Sequence, residues 1–162
     1  MGIAASARFV GIAVTMDGEP VQWEVSRILR DDVRHSRAQV SSLLASVLPR
    51  FRPVAIVNLI DDGTDPRRAM GRDVTARIVQ PAIALVALPV IEVMRSELVR
   101  DLGFGEASNA ALLVELLRRT PVNTMQVTAH RDREEAERYW ATAVLATGAT
   151  QVPFREAATV CA

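Results

Sequence analysis

The chain has 162 residues, nineteen basic and nineteen acidic, so its formal net charge is zero. That length suits one domain with a real core, and the neutral balance sets aside nucleic-acid binding through a global excess of basic charge. The lone cysteine, Cys161, excludes an internal disulfide framework, and no apolar run reaches the length of a membrane span, so a cytoplasmic protein with no membrane partner is expected.

All nineteen basic residues are arginine. A GC-rich genome is one reason for such a bias. Phosphate binding is another, because the guanidinium fork suits bidentate contacts to phosphate. Any electrostatic footprint must then be local.

In chain order, residues 2–14 read as a short strand, a tight connection and a full strand. Asp17-Gly18 between two apolar runs is a strong hairpin signal, and predicts a third strand over 21–28. Residues 30–34 are polar and read as a loop. From 36 to 48, Val40, Leu43, Leu44, Val47 and Leu48 carry the spacing of one helix face, bounded by Pro49 and Pro53. The nearly unbroken apolar run 54–60 reads as a central parallel strand covered on both faces. Asp65-Pro66 then opens a helix, expected to run to about Gln80, where Pro81 forces a kink or break. Residues 82–88 are expected to continue it as a short segment. A fifth strand over 90–94 and a short helix from Ser96 to Leu102 follow. Helices over 108–119 and 131–147 complete the domain, with Gly148 as a terminator. Residues 1–148 form the predicted domain and 149–162 a tail.

Three antiparallel strands, then two parallel ones joined by helical crossovers, describe an α/β protein of the ribonuclease H-like arrangement. The N-terminal stretch Gly2-Ile3-Ala4-Ala5-Ser6-Ala7-Arg8-Phe9-Val10-Gly11-Ile12-Ala13-Val14 resembles the opening of RuvC-type Holliday junction resolvases. Their pattern runs Gly-Ile-Asp-Pro-Gly-Ser-Arg, two residues, then Gly; Gly2, Ile3, Arg8 and Gly11 keep it without a gap. Ala55-Ile56-Val57 resembles the central-strand Ala-Ile-Glu, and Glu134-Glu135-Ala136-Glu137 resembles the acidic opening of the last helix.

The resemblance implies four carboxylates holding two divalent ions, magnesium or manganese, that activate water against a phosphodiester. It implies branched or duplex DNA as a partner and a tendency to dimerise. Position by position, the first acid falls on Ala4 and the central-strand acid on Val57, neither of which ligates a metal. Glu134 and Glu137 stand where the last-helix acids would be, sharing a face at spacing i, i+3. Asp61 and Asp62 are the substitutes nearest the central strand, and Asn58 is a weak oxygen ligand if the register slips.

Each candidate has a plain structural alternative. First-turn glutamates offset the helix dipole, and Asp61-Asp62-Gly63 reads equally as a turn and cap. Arg68, Arg72 and Arg77 form either a solvated face or a phosphate-holding stripe, with Arg8 nearby in the resembled motif. Phe104 is a loop anchor or a stacking residue. Three functions follow: a resolvase-like domain without its catalytic acids that binds nucleic acid or protein, with no cofactor; a metal-dependent nuclease with a rearranged site; or a structural subunit of a larger assembly.

Overall fold

The computed structural model describes residues 1–16, 19–29, 31–64 and 66–101. Five strands form one sheet in the order β3-β2-β1-β4-β5. β1 (Gly2–Ala5) and β2 (Phe9–Met16) pair antiparallel, with Ala4 opposite Gly11 and Ile3 opposite Ile12. β2 pairs antiparallel with β3 (Glu19–Arg27), Met16 facing Glu19. The strands are joined as the expected hairpin, although Asp17 and Gly18 themselves lie outside the described residues. β4 (Ile56–Ile60) runs parallel to β1 on one side and to β5 (Val90–Met94) on the other. Among the described residues the sheet is the predicted mixed α/β one, three antiparallel strands and two parallel ones.

The helices depart from expectation at their ends. α1 (Val33–Phe51) begins three residues early because the Asp32 side chain accepts the His35 N–H at 2.9 Å and caps it. It also runs past Pro49. That proline removes one bond in the last turn, but the next one forms, from the Arg52 N–H to the Leu48 carbonyl at 2.9 Å, and Arg52 ends the helix in the left-handed region. Ser36, fully buried, both donates to and accepts from the Leu29 backbone at 2.9 Å. Leu29, two residues past β3, is thereby fastened to the first turn of α1, which also takes in Val33 and Arg34 of the expected loop.

The helical run does not break at Pro81, which lies inside its last segment. α2 (Pro66–Val74) passes into one wide π turn (Thr75–Val79) and then α3 (Gln80–Ile83). The wider turn makes room for the proline ring, and the segment stops at Ile83 rather than continuing to 88. In α geometry the carbonyl left without a donor by Pro81 is that of Arg77. Arg37, reaching across from α1, donates to that oxygen at 2.9 Å. Replacing Arg37 by methionine is expected to cost about 1 kcal/mol, read as a shift in the urea midpoint. In a Pro81→Ala background the cost should shrink, because the alanine amide serves the same carbonyl. Equal losses in both backgrounds would remove this role from Arg37.

The core lies between the sheet and these helices. Ile3, Val10, Ile12, Val14 and Ile56 from the strands meet Val40, Leu44 and Val47 of α1, and Val74, Ile78, Val79 and Ile83 of the broken helix. By strand alternation, Ala4, Ala13 and Val57 take the opposite face, where they too are buried. α4 (Arg95–Asp101) follows β5 directly. No helix among the described residues is long and apolar enough to cross a membrane. The helices expected over 108–119 and 131–147, with Phe104, Glu134 and Glu137, lie outside the described residues.

Candidate functional site at the carboxyl ends of the parallel strands

In an open α/β sheet, ligands gather outside the carboxyl ends of parallel strands. Here β1 ends in the turn 6–8, β4 in the loop 61–64, and β5 in α4. The β1 turn is closed by Ser6, whose Oγ accepts the Arg8 N–H at 3.1 Å and the Phe9 N–H at 2.9 Å. Arg8 is exposed at its tip.

Ala4 and Val57 occupy one face of neighbouring strands, since Gly2 pairs with Val57 and Ile3 with Asn58. Both are buried, at 1% and 4% exposure. The register therefore puts the two positions that the resemblance made acidic on one face, offset by two residues, but as an alanine and a valine. Asn58 does not replace them. It lies with Ile3 on the helix-covered face, 1% exposed, and its Nδ2 has no hydrogen-bond partner.

The acids of the β4 loop are engaged with the protein. Asp61 Oδ1 accepts the Gly63 N–H at 3.2 Å and stands 4.0 Å from Arg68 Nε. Both oxygens of Asp62 take bonds from Ser96, one from its N–H at 3.0 Å and one from its hydroxyl. Burial raises the Asp62 pKa, but the Ser96 bonds and the Arg68 charge outweigh it and hold the carboxyl below its ordinary value. Ser96, the expected first residue of the short helix, lies one residue inside it and ties α4 to the β4 loop, while Glu97 accepts the Met94 N–H at 3.3 Å.

Two arginines one turn apart on α2 grip the same loop. Arg72 Nη1 donates to the Asp61 carbonyl at 3.3 Å and to the Gly63 carbonyl. Arg68 lies across Gly63, where any Cβ would collide with its Cδ and Nη1. Gly71 lets α2 come close to β1: a Cβ there would stand 3.4 Å from the Ala5 carbonyl oxygen. Arg77 does not join this pair. It sits in the π turn and bonds Asp73 at 3.3 Å, so the expected three-arginine stripe is split. Sequence reasoning missed Ser6, Gly71 and Ser96. The first two have only local small-residue signals, and Ser96 meets an acid 34 positions away.

No family model matches the sequence, and no curated protein matches it by sequence. Solved structures do match. The Thermus thermophilus RuvC structure aligns with a TM-score of 0.59 at 16% identity, covering 90% of this chain and 93% of that one. T. thermophilus RuvC in complex with Holliday junction substrate aligns at 0.57 and 17%, covering 91% and 93%. The fold is that of RuvC. On this RuvC-like, ribonuclease H-like frame, the described donors do not fit a pair of divalent ions. Ala4 and Val57 offer no oxygen, Asp61 and Asp62 are committed to Gly63, Arg68 and Ser96, and no three His, Cys, Asp or Glu side chains gather among the described residues.

Proposed function

We propose that this chain is a RuvC-like domain that binds branched DNA without cutting it, alone or as part of a larger protein assembly. The observation that carries this reading is that Ala4 and Val57 share one face of adjacent parallel strands, two residues apart in register, buried and without a ligating atom. Two-metal hydrolysis needs a carboxylate cage whose oxygens clamp both ions. Glu134 and Glu137 alone, contributed by one segment, would leave such a cage open on the sheet side. Arg8, Arg68 and Arg72, with Phe104 as a stacking residue, are the side chains proposed to meet the nucleic acid, and Arg77 contributes only charge at the far end of the helix. A second copy of the chain is a natural partner for a two-fold symmetric junction.

The test is a four-way junction incubated with the protein and manganese, resolved on native and denaturing gels. A retarded complex with no cleavage product is expected. Cleavage that disappears in a Glu137→Ala variant would overturn the proposal in favour of a rearranged nuclease using Asp61, Asp62, Glu134 and Glu137. Absence of any complex would move the function to protein partners.

A further inference from the structure

The amino ends of β4 and β5, opposite the candidate DNA edge, carry a second surface. The connection 52–55 after α1 and the loop 84–89 after α3 lead into these adjoining strands, where Ile56 pairs with Val90 and its N–H donates to the Pro89 carbonyl at 2.9 Å. Val54 and Leu85, one in each connection, are the most exposed large apolar side chains among the described residues, at 81% and 80%. Val90, at the start of β5, is exposed too. The charge at this corner has one sign. The sequence holds no acid from Val33 to Ile60 and none from Val74 to Ile91, while Arg50 and Arg52 stand exposed at the end of α1. Neither has a carboxylate partner among the described residues, and Arg50 lies over the Phe51 ring at 4.9 Å. The carbonyl end of a helix offsets about half a unit charge, which leaves the pair net positive. Glu19 begins β3 at the same end of the sheet, but β2 and β1 stand between β3 and β4, about 14 Å at the usual strand spacing. Arg52 also holds a φ of 46° and a ψ of 55°, the left-handed region in which glycine is the usual occupant and a side chain is strained. An arginine there gives up stability for a cation at this corner.

We infer that this corner docks an acidic, apolar-anchored segment of a protein partner, with the anchors on Val54, Leu85 and Val90 and the carboxylates on Arg50 and Arg52. The inference rests on the assembly part of the proposed function and gives the partner its chemistry, while the opposite ends of the strands stay free for DNA. An apolar centre with a charged rim is the usual anatomy of a protein interface, and the sign of the rim selects the partner. A duplex would answer the arginines but offer little apolar surface to the aliphatic side chains. A second copy set two-fold on this corner would bring the same unanswered arginines together.

Fluorescence anisotropy with the full chain tests this, using a short labelled peptide in which leucine and phenylalanine are spaced among aspartates. A second peptide replaces each aspartate by lysine, and a third replaces each leucine and phenylalanine by alanine. Saturable binding of the first is expected, with the other two at least about tenfold weaker. Val54→Asp should weaken the first peptide about tenfold, since it puts a like charge in the apolar centre. Arg52→Gly should weaken it about threefold while raising the melting temperature, because glycine relieves the left-handed position. A merely structural Arg52 would not move these two readouts in opposite directions. Thermal melting confirms that each variant is folded, and junction affinity, read in parallel, should match the parent in both. No binding of the first peptide, equal binding of the lysine peptide, or full affinity in folded Val54→Asp overturns the inference while leaving junction binding intact. Sedimentation with phosphatidylglycerol vesicles in place of peptide binding, or self-association abolished by Val54→Asp, also overturns it, in favour of a lipid surface or a second copy. Loss of junction binding by the unaltered chain, with the peptide still bound, removes the DNA function instead.

Discussion

Val57→Glu, the change that puts a carboxylate on the central strand, is expected to destabilise the protein by about 3–5 kcal/mol at neutral pH. Val57 is 4% exposed near the start of β4, its N–H bonded to the Met1 carbonyl at 2.8 Å, and it lies between Gly2 of β1 and Ile91 of β5, with Ala4 and Leu59 on the same face. None of these can pair a charge. The new carboxyl would therefore be protonated in the fold more readily than in the unfolded chain, its pKa raised by desolvation above about 4.3. A raised folded-state pKa means that the protonated form is tolerated below the unfolded value and that stability is lost as pH rises through the folded one. Urea denaturation should accordingly show a small deficit near pH 4 and a large one near pH 8, measured beside Val57→Leu as the apolar control. The same variant asks a functional question. If the acids at Glu134 and Glu137 close over this face, millimolar manganese should recover part of the lost stability by binding only the folded protein. A pH-independent deficit equal to that of the leucine control would mean that position 57 is open to water and that the comparison with a central-strand acid is misplaced.

The sheet was legible because its signals are local. Val90 to Met94 is apolar but for Glu92, between a proline and a charged helix start, and the strand occupies those five residues. The hairpin followed from Asp17-Gly18 in the same way. Helix ends were less legible, since each depends on one bond. Asp32 looked like loop polarity until its side chain was seen bonding His35, and Pro49 looked like a terminator although Arg52 still closes the last turn onto Leu48. The π turn before Pro81 answers a conflict between one proline and a long buried apolar face, which periodicity alone does not reveal. The site was half legible. Ala4 and Val57 were picked out by resemblance, and the register puts them on one face of neighbouring strands, offset by two residues. That Arg68 and Arg72 grip the loop of Asp61, and that Ser96 holds Asp62, are long-range facts set by how α2 and α4 dock on the strand ends. No spacing rule encodes them.

Ile3→Ala should cost about 3–4 kcal/mol, a large share of the stability of a domain this size. β1 is only four residues long yet pairs with β2 on one edge and β4 on the other, with Ile3 opposite Ile12 and Asn58. Its side chain is fully buried against the helix-covered core. Truncation there leaves a cavity that cannot close, because the strand is held on both sides by hydrogen bonds and α2 already lies close against its end at Gly71. Ile3→Val, which removes one methylene, should cost about 1 kcal/mol, and Val54→Ala, at a position 81% exposed, almost nothing. The series separates packing from recognition. Ile3 carries no charge and faces away from Ala4, so junction affinity of the folded Ile3→Val protein should match that of the parent while its melting temperature falls. If affinity drops with stability across the series, the DNA-binding edge depends on the exact seating of β1, and the arginine pair on α2 would have to be read as held in place by the strand rather than by the loop it grips.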